Sequence, residues 1–433
     1  MEKHPRVLVV SHNIFSRTGN MGRTMANLLS SIPSDCLAQL YFHSEIPTMD
    51  LCHRYFRITD RDVLRSVVTR KAGYRIYGKE DIREDSGRSR TDQGLTAKVY
   101  QFSRRRTPAI YCCRNWMWRL GKWESEALDQ WIRDFAPDVI FFASGDYVFP
   151  YRIVERLSQR YHLPVVTWCC DDYYIGKRKS WSPLYHLNYH SLMRWAHKVE
   201  KRTLHYVVIC DKMKEDYQKL FHKPMDVLRI SVGDNPCKRP AEQRTGIVYA
   251  GNLGLNRVVP LLELAAQVKK AGIPGYEWVD VYSGEGNPKT LALLTEENGI
   301  RFHGAVPAAE LTNILGAAKF VLHVEAFDEK SACRTRYSLS TKIGESLQSG
   351  ACILAYAPRD IASMEYLREY SAAVCLERAQ QLPQILRQLT TDREAFDGYV
   401  ARASELAKAR HSKESNDRLL QQIFMDVCKE EIQ

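Results

Sequence analysis

The sequence predicts an α/β protein built from two Rossmann-like, doubly wound domains that face a cleft. Short apolar runs alternate with helix-length amphipathic stretches along the whole chain, and most of the runs are apolar without alternation. Unbroken apolar runs are typical of parallel strands that helices cover on both faces. With 433 residues, of which 45% are hydrophobic, the chain is long enough to form two cores.

Two successive sets of strands are expected, separated by a polar stretch. The first set is 6–11, 37–42, 138–143, 164–168, 205–210 and 226–231, and the second is 246–250, 278–282, 300–303, 320–324, 352–356 and 372–376. A (β/α)₈ barrel has no reason to pause halfway, so the interruption favours two doubly wound domains.

The domain boundaries follow from that polar stretch. Pro236 and Pro240 lie in it, and it has no hydrophobic period. We therefore place an N-terminal domain at 1–232, a linker at 233–245, a C-terminal domain at 246–411 and a terminal helix at 412–433. The terminal helix has no strand to follow and could pack back on the N-terminal domain.

Charge is distributed unevenly along the chain. The net charge is +11, of which residues 1–240 contribute +14 and residues 241–433 contribute −3. The two domains are therefore expected to meet different partners. No apolar run reaches the length of a membrane span and no signal peptide is recognisable, so we expect a cytoplasmic protein. The cysteines contain no CxxC spacing, which favours reduced thiols without a metal.

A basic and aromatic insertion at 61–123 does not fit the alternation. It contains Arg104–Arg106 together with Trp116, Trp118 and Trp123. Such a mixture suits an anionic lipid surface, and it equally suits a helix with a solvated basic face and buried tryptophans. Nucleic acid is disfavoured because no recognised nucleic-acid motif is present.

An Asp60–Arg61–Asp62 triplet stands at the start of that insertion and has the DxD form of a metal-binding motif. Thr59 or Asp60 as a helix N-cap explains it without metal. We therefore predict no metal site.

Candidate site residues of the first half stand at expected strand ends. His12 follows the first strand, and Gly19, Gly22 and Arg23 lead into a helix. The glycine spacing lacks the full GxGxxG pattern and no P-loop is present, so a dinucleotide dehydrogenase is not supported. Asp171–Asp172 ends another strand and could either activate a hydroxyl or cap the next helix.

The second half contains three glycine-rich or cationic segments, two at expected strand ends and one at an expected helix start. They are the loop with Gly251, Asn252, Gly254 and Arg257, the turn Gly304–Val306, and the helix start with Ser340, Thr341, Lys342 and Glu345. A capped helix start beside a lysine can attract an anion. A glutamate one turn further along could accept from ribose hydroxyls.

Taken in order, these stretches resemble the retaining glycosyltransferases of the two-Rossmann, GT-B architecture, in the broad family four group. The stretches that resemble that family are YAGNLG, FHGAVP, KFVLHVE, STKIGESLQSG and ACILAYAP. The resemblance implies a nucleoside-diphosphate sugar of UDP or GDP type as donor substrate, with no separate cofactor and no metal.

The same resemblance implies roles for individual residues. The Gly251–Gly254 loop and Arg257 would lie against the diphosphate, Gly304–Val306 would meet the base, Ser340–Lys342 the phosphates and Glu345 the ribose. Arg257 and Lys342 would then form the electrophilic pair. His12, Asp171 and Asp172 are the candidates for acceptor activation.

One position departs from the family. Tyr337 stands where the first glutamate of its paired-glutamate signature belongs, and Arg334, Arg336 or Glu325 would have to replace it. The expected function is sugar transfer to a lipid-linked saccharide or surface polysaccharide intermediate, by a protein peripheral to the cytosolic face of an anionic membrane. The alternatives are a sugar-nucleotide epimerase or hydrolase, and an inactive binding subunit.

Overall fold

The computed structural model describes residues 4–16, 20–49, 51–69, 73–76, 107–176, 180–232 and 239–430. They form two compact units. The first comprises the described residues of 1–208, 214–228 and 417–433, and the second those of 209–213 and 229–416. Among these residues, no helix combines the length and apolarity that a bilayer crossing requires.

The first unit is built on one sheet. Its described strands are β1 Val7–Ser11, β2 Leu37–Tyr41, β3 Arg54–Arg57, β4 Tyr74–Ile76, β5 Val139–Ala143, β6 Val165–Cys169, β7 Thr203–Val208 and β8 Met225–Val227. Their spatial order is β4-β3-β2-β1-β5-β6-β7-β8, and every pair is parallel except β3 with β4. The order reverses between β1 and β5, as in doubly wound folds.

Helices connect these strands. They are α1 Asn20–Leu29, α2 Asp60–Thr69, α3 Pro108–Leu120, α4 Glu126–Phe135, α5 Val148–Tyr161, α6 Pro183–Glu200 and α7 Asp211–Leu220. Local signals set their ends: the Ser125 hydroxyl, for example, accepts a hydrogen bond from the Leu128 N–H at 3.3 Å and so caps α4.

The second unit repeats this architecture. Its described strands are β9 Thr245–Ala250, β10 Val279–Tyr282, β11 Ile300–Gly304, β12 Ala318–Val324, β13 Cys352–Tyr356 and β14 Val374–Leu376. They are all parallel, in the order β11-β10-β9-β12-β13-β14. The helices are α8 Val258–Ala271, α9 Pro288–Leu291, α10 Ala308–Ala317, α11 Glu329–Thr335, α12 Thr341–Gln348, α13 Ala362–Glu369, α14 Leu382–Thr391 and α15 Arg393–Arg410.

The terminal helix α16, Lys413–Val427, is amphipathic and contributes its apolar side to the core of the first unit. Leu420, Ile423 and Phe424 are buried there, and the Phe424 ring lies 5.9 Å from that of Phe141 in β5. This burial fixes the helix to the sheet, because apolar side chains lose contact with water on packing.

A buried histidine lies just before α16, in the second unit. His411 is 2% exposed, and its Nδ1 and Nε2 lie 2.9 Å from the Ile230 carbonyl oxygen and 3.1 Å from the Tyr366 hydroxyl. The carbonyl can only accept, so Nδ1 donates and the neutral ring accepts from the tyrosine. Burial lowers the pKa of His411 to about 4.

The predicted fold class is confirmed: each unit has a doubly wound α/β architecture, with a sheet that is parallel throughout in the second unit and parallel except for β4 in the first. All the strands expected from the sequence are present, with shifted ends, whereas β3 and β4 were not expected. β3 has the sequence RYFR, in which arginines flank only two apolar residues, and β4 is three residues long.

The tryptophans of the basic insertion divide between its two interpretations. Trp118 is 1% exposed and Trp123 is 7% exposed, so both belong to the core, whereas Trp116 is 65% exposed. Arg104–Arg106 lie outside the described residues.

Candidate functional site

The carboxyl edge of the second sheet brings several predicted residues to one place. The loops after β9, β11 and β12 leave the sheet at this edge because the strands are parallel. Helix α12 leads into β13 and runs back across the sheet, so its N-terminus lies at the same edge. The strand order reverses between β9 and β12, which is where doubly wound folds bind ligands.

The loop between β9 and α8 is tightly folded. The Tyr249 hydroxyl donates to the Asn252 carbonyl at 2.9 Å, and the Asn252 side-chain oxygen accepts from the Gly254 N–H at 2.5 Å. Leu255 and Asn256 both have a φ of 57°, a left-handed conformation that asparagine tolerates and leucine seldom adopts, so the strain lies at Leu255. Strain of this kind persists where the surroundings determine the backbone closely, and it is frequent at ligand sites.

This loop ends in an ion pair with the residue after β12. The Arg257 Nε and Nη2 atoms donate to the two carboxylate oxygens of Glu325 at 2.7 Å and 2.9 Å. Glu325 is 3% exposed. Burial raises the pKa of Glu325, and the bidentate contact with the guanidinium opposes that rise. The pair therefore fixes the position of Arg257 at the sheet edge.

A neutral histidine lies beside this pair. Burial, and to a lesser degree the charge of Arg257, lower the pKa of His323 to about 4. Its Nε2 is 3.0 Å from the hydroxyl of Ser363 at the start of α13. At this edge, Arg257 of the loop after β9 is thus a fixed cation, and His323 of β12 is an uncharged imidazole.

A second contact ties the loop to α11. The Asn256 amide donates to an oxygen of Asp328 at 3.0 Å, and the other Asp328 oxygen accepts from the Ser331 N–H at 3.0 Å. Asp328 is thereby the N-cap of α11 and an anchor for the loop.

The start of α12 carries the remaining cation. The Ser340 hydroxyl accepts from the Lys342 N–H at 3.3 Å, so Ser340 is the N-cap and Thr341 the first helical residue. Lys342 Nζ lies 3.2 Å from a Glu345 oxygen, with the two side chains 31% and 43% exposed. Either side chain can leave this ion pair to contact a ligand, because exposed ion pairs contribute little to stability in water.

The end of β11 offers open backbone. Gly304 has a φ of 75°, and no atom lies within 4 Å of where its Cβ would stand. Val306 is half-buried, and Pro307 is the N-cap of α10. A flat group could approach this turn closely without meeting a side chain from Gly304.

Tyr337 belongs to the core rather than to the site. It is 2% exposed, and its carbonyl oxygen accepts from the Cys210 thiol at 3.3 Å. Of the three proposed substitutes for the missing acid, Arg334 and Arg336 are exposed on or next to α11, and Glu325 is the buried acid that contacts Arg257.

The carboxyl edge of the first sheet carries His12 after β1 and Asp171 after β6. The His12 ring lies 4.9 Å from that of Tyr147. Gly22 lies in α1, where only a glycine fits because a Cβ would stand 2.1 Å from the Ile14 carbonyl oxygen. Arg23 is exposed on the same helix, and Gly19 lies outside the described residues.

Asp172 organises the loop after β6. Its carboxylate accepts from the N–H groups of Tyr174, Ile175 and Gly176 at 3.1, 3.0 and 2.6 Å, and from the Tyr217 hydroxyl at 2.8 Å. These contacts occupy both oxygens, which disfavours hydroxyl activation by Asp172. The helix-capping alternative is wrong for this residue, because the next helix, α6, has Ser182 as its N-cap and Asp172 bonds within its own loop.

The Asp60–Arg61–Asp62 triplet is also explained locally. Asp62 accepts from the N–H and hydroxyl of Thr59, and Asp60 from Arg114 Nε and Trp118 Nε1 at 2.9 and 2.7 Å. Among the residues that the structure describes, no group of three or more His, Cys, Asp or Glu side chains is placed to hold a metal ion.

The structure therefore assembles Gly251, Asn252, Gly254 and Arg257 with Gly304 and the α12 start on one edge. Sequence reasoning missed the roles of His323 and of Asn256 with Asp328. The sequence did contain a signal for the partner of Arg257, because Glu325 in the His–Val–Glu stretch 323–325 is a polar residue directly after a buried strand.

Comparison with known proteins shows which solved structures share this architecture. Neither a protein-family model nor a curated protein sequence matches the chain. Among solved structures, sucrose-phosphate synthase from Thermosynechococcus elongatus is 11% identical, with 98% of this chain and 99% of that chain covered and a TM-score of 0.61. HepE from Anabaena, solved in complex with UDP, is 11% identical over 97% and 100% of the two chains, also with a TM-score of 0.61.

A third solved structure is WaaG, a glycosyltransferase involved in lipopolysaccharide biosynthesis. It is 14% identical over 96% of this chain and 99% of that chain, with a TM-score of 0.55. The chain has the GT-B fold. The agreement extends over nearly the whole length, so the GT-B fold accounts for both units. At these identities the likeness concerns the fold, and the chemistry has to be argued from the site.

Proposed function

We propose that this protein is a glycosyltransferase that moves a sugar from a nucleoside-diphosphate donor to a hydroxyl acceptor. The observation that carries the proposal is Arg257, which Glu325 orients through two hydrogen bonds at the strand-reversal edge of the second sheet. Two proteins of the same fold support it by name: HepE was solved with UDP-glucose, and a trehalose-phosphate synthase from Burkholderia vietnamiensis is described as UDP-forming.

The chemistry of the donor fits this edge. As the glycosidic bond breaks, negative charge grows on the leaving nucleoside diphosphate, and donors that are already oriented lower the barrier. Arg257, Lys342 and the N-terminus of α12 are the proposed donors. Glu345 would leave Lys342 to accept from the ribose, and Gly304–Val306 would border the base. In this proposal transfer proceeds with retention, and the only co-substrate is a UDP- or GDP-type sugar.

The acceptor side is proposed to lie on the first unit. Residues 1–240 carry the whole basic excess, which suits an acceptor at an anionic membrane surface. We propose a lipid-linked saccharide or a surface polysaccharide intermediate at the cytosolic face. His12 and Asp171 are the candidates for the base, since the oxygens of Asp172 are engaged in its own loop.

A thermal-shift panel of nucleoside diphosphates and their sugars tests the proposal. A ligand that binds the folded state raises Tm by an amount that grows with the ratio of its concentration to its Kd, so the nucleotide that raises Tm identifies the base. Glu345→Ala should lower affinity for the diphosphate and its nucleoside alike, whereas Lys342→Ala should lower affinity for the diphosphate alone. Lys270→Ala, at an exposed lysine near the end of α8, is the matched control.

The outcomes separate the alternatives. Donor hydrolysis without transfer to any saccharide acceptor would favour a hydrolase, and conversion of the sugar without its release would favour an epimerase. A panel without any shift would favour a binding subunit and refute the proposal.

A further inference from the structure

Three helices of the first unit form one layer with α3 in its middle. On one side, Arg114 and Trp118 donate to Asp60 of α2, and the Lys122 N–H donates to the Ser66 hydroxyl at 2.9 Å. On the other side, the Asn115 amide donates to Asn188 of α6 at 2.7 Å. These contacts turn the opposite face of α3 towards solvent.

That outward face is apolar. Ala109, Cys113, Trp116 and Leu120 follow a spacing of four, three and four residues, which places them on one side of α3. Trp116 is 65% exposed and Leu120 53% exposed. The two helices that contact α3 carry further exposed apolar side chains. We call the whole set the apolar face: Leu64 and Val67 of α2, Trp116 and Leu120 of α3, and Leu184 and Leu187 of α6.

The concentration of these residues is the unusual point. Including Trp181, which directly precedes α6, seven of the ten large hydrophobic residues that are exposed among the described positions belong to this layer. Single exposed leucines are ordinary, but a concentration of them on adjacent helices indicates a surface that another apolar phase covers.

A group of cations lies on α3 and α6, which carry part of the apolar face, and on the neighbouring α5. Lys198 of α6 lies 4.1 Å from the ring centroid of Trp195, and the guanidinium of Arg152 in α5 lies 5.4 Å from it. Burial lowers the pKa of Arg152, and the like charges of Arg119 and Arg156 lower it further.

These cations have little compensation from the protein. Glu124 pairs with Arg156 at 2.9 Å. Within the described ranges, no acidic side chain lies within ion-pair distance of Arg119, Arg152 or Lys198. We call these three residues the basic cluster.

We propose that the apolar face and the basic cluster together dock on an anionic lipid bilayer, with Trp116 and Leu120 in the interfacial layer and the basic cluster against lipid phosphates. A bilayer offers negative charge and apolar depth side by side, and indole rings favour the boundary between them. The charge of the sequence alone does not identify this surface: Trp116 is distinguished by its exposure, and Arg119 by its position beside the like charge of Arg152. The inference gives the proposed acceptor membrane a defined contact surface and does not depend on the identity of the donor.

Co-sedimentation of the full chain with vesicles tests this surface. We compare phosphatidylcholine vesicles with vesicles that also contain phosphatidylglycerol. Trp116→Ser with Leu120→Ser should lower the apparent partition coefficient at least about tenfold. The control is Leu293→Ser, at a leucine of the second unit that is 41% exposed and should have no effect.

The cations need a separate pair of variants. Arg119→Gln with Arg152→Gln should lower binding to the anionic vesicles about fivefold per charge, with little change on neutral vesicles. Lys270→Gln is the control for the loss of a cation elsewhere. Unchanged Tm values of all variants would show that the fold is intact.

Three results would overturn the inference. The first is that the wild-type protein does not sediment with anionic vesicles, and the second is that the control variants lose binding equally. The third is a dimer that forms without lipid and that Trp116→Ser dissociates, which would assign the apolar face to a second copy of the chain. The nucleotide thermal shift is measured on the same preparations. A wild-type protein that binds nucleotide but no vesicles refutes this surface and leaves the proposed function standing.

Discussion

Replacing Glu325 by glutamine should destabilise the second unit by about 3 kcal/mol. The glutamine cannot pair with the charge of Arg257, so the substitution leaves a guanidinium unpaired at a site where Glu325 was 3% exposed. Breaking a buried ion pair costs about 3–5 kcal/mol, and we take the lower end because the Arg257 side chain is 17% exposed and water reaches it.

Scanning calorimetry of the full chain measures this effect. For a unit of this size, about 3 kcal/mol corresponds to a fall in Tm of about 6–12 °C. The transition of the first unit should not move, because Arg257 and Glu325 both belong to the second unit.

The reciprocal substitution provides a test by pH. Arg257→Met leaves the Glu325 carboxylate buried without its partner, and burial already raises the pKa of that group. A carboxyl whose pKa is higher in the folded state takes up a proton on folding, so its penalty shrinks as the pH falls. The Tm deficit of Arg257→Met should therefore decrease from pH 8 to pH 5, whereas that of Glu325→Gln should not, because arginine keeps its charge.

A double-mutant cycle completes this prediction. The variant with both substitutions contains no unpaired charge, so its destabilisation should be smaller than the sum of the two single effects. Additive effects, together with the same pH response in both single variants, would show that the pair is not the interaction that fixes Arg257.

Three further predictions concern stability. Asp172→Ala should lower the free energy of unfolding in urea by about 2–4 kcal/mol, because it leaves three N–H groups and a hydroxyl without their acceptor. Asp171→Ala should change this free energy little, and similar losses in both variants would refute the loop role of Asp172. Gly344→Ala should lower Tm although alanine favours helix by about 1 kcal/mol, because its Cβ would stand 2.7 Å from Val232 Cγ1; a higher Tm would contradict this contact. His411 stays neutral in the folded protein, so the free energy of unfolding should fall as the pH drops from about 6.5 to about 4. His411→Gln should reduce the slope of this free energy against pH by up to about 1.4 kcal/mol per pH unit. An unchanged slope would contradict the low pKa of His411.

The strands of both sheets were predictable because buried parallel strands are unbroken apolar runs. β3 and β4 were not, since their pairing with β2 and with each other compensates for sequences too short or too charged to indicate a strand. Hydrophobic pattern reports burial, and it says little about strands that tertiary pairing stabilises.

The candidate site was predictable where function depends on backbone and local order. The Ser340 cap and the Gly304 turn follow from neighbouring residues. The pairing of Arg257 with Glu325 joins residues 68 positions apart, which no local pattern contains. Trp116 and Trp118 are two positions apart and so lie on opposite sides of α3, and only the packing of that helix decides which one is buried.

Titration calorimetry with the nucleoside diphosphate that gives the largest thermal shift tests the central claim most directly. The diphosphate and its nucleoside are titrated separately into the wild-type protein, Lys342→Ala and the Lys270→Ala control. We expect Lys342→Ala to raise the Kd of the diphosphate about tenfold and to leave the Kd of the nucleoside unchanged. Equal weakening of both, or a wild-type protein that binds no nucleoside diphosphate, would contradict it.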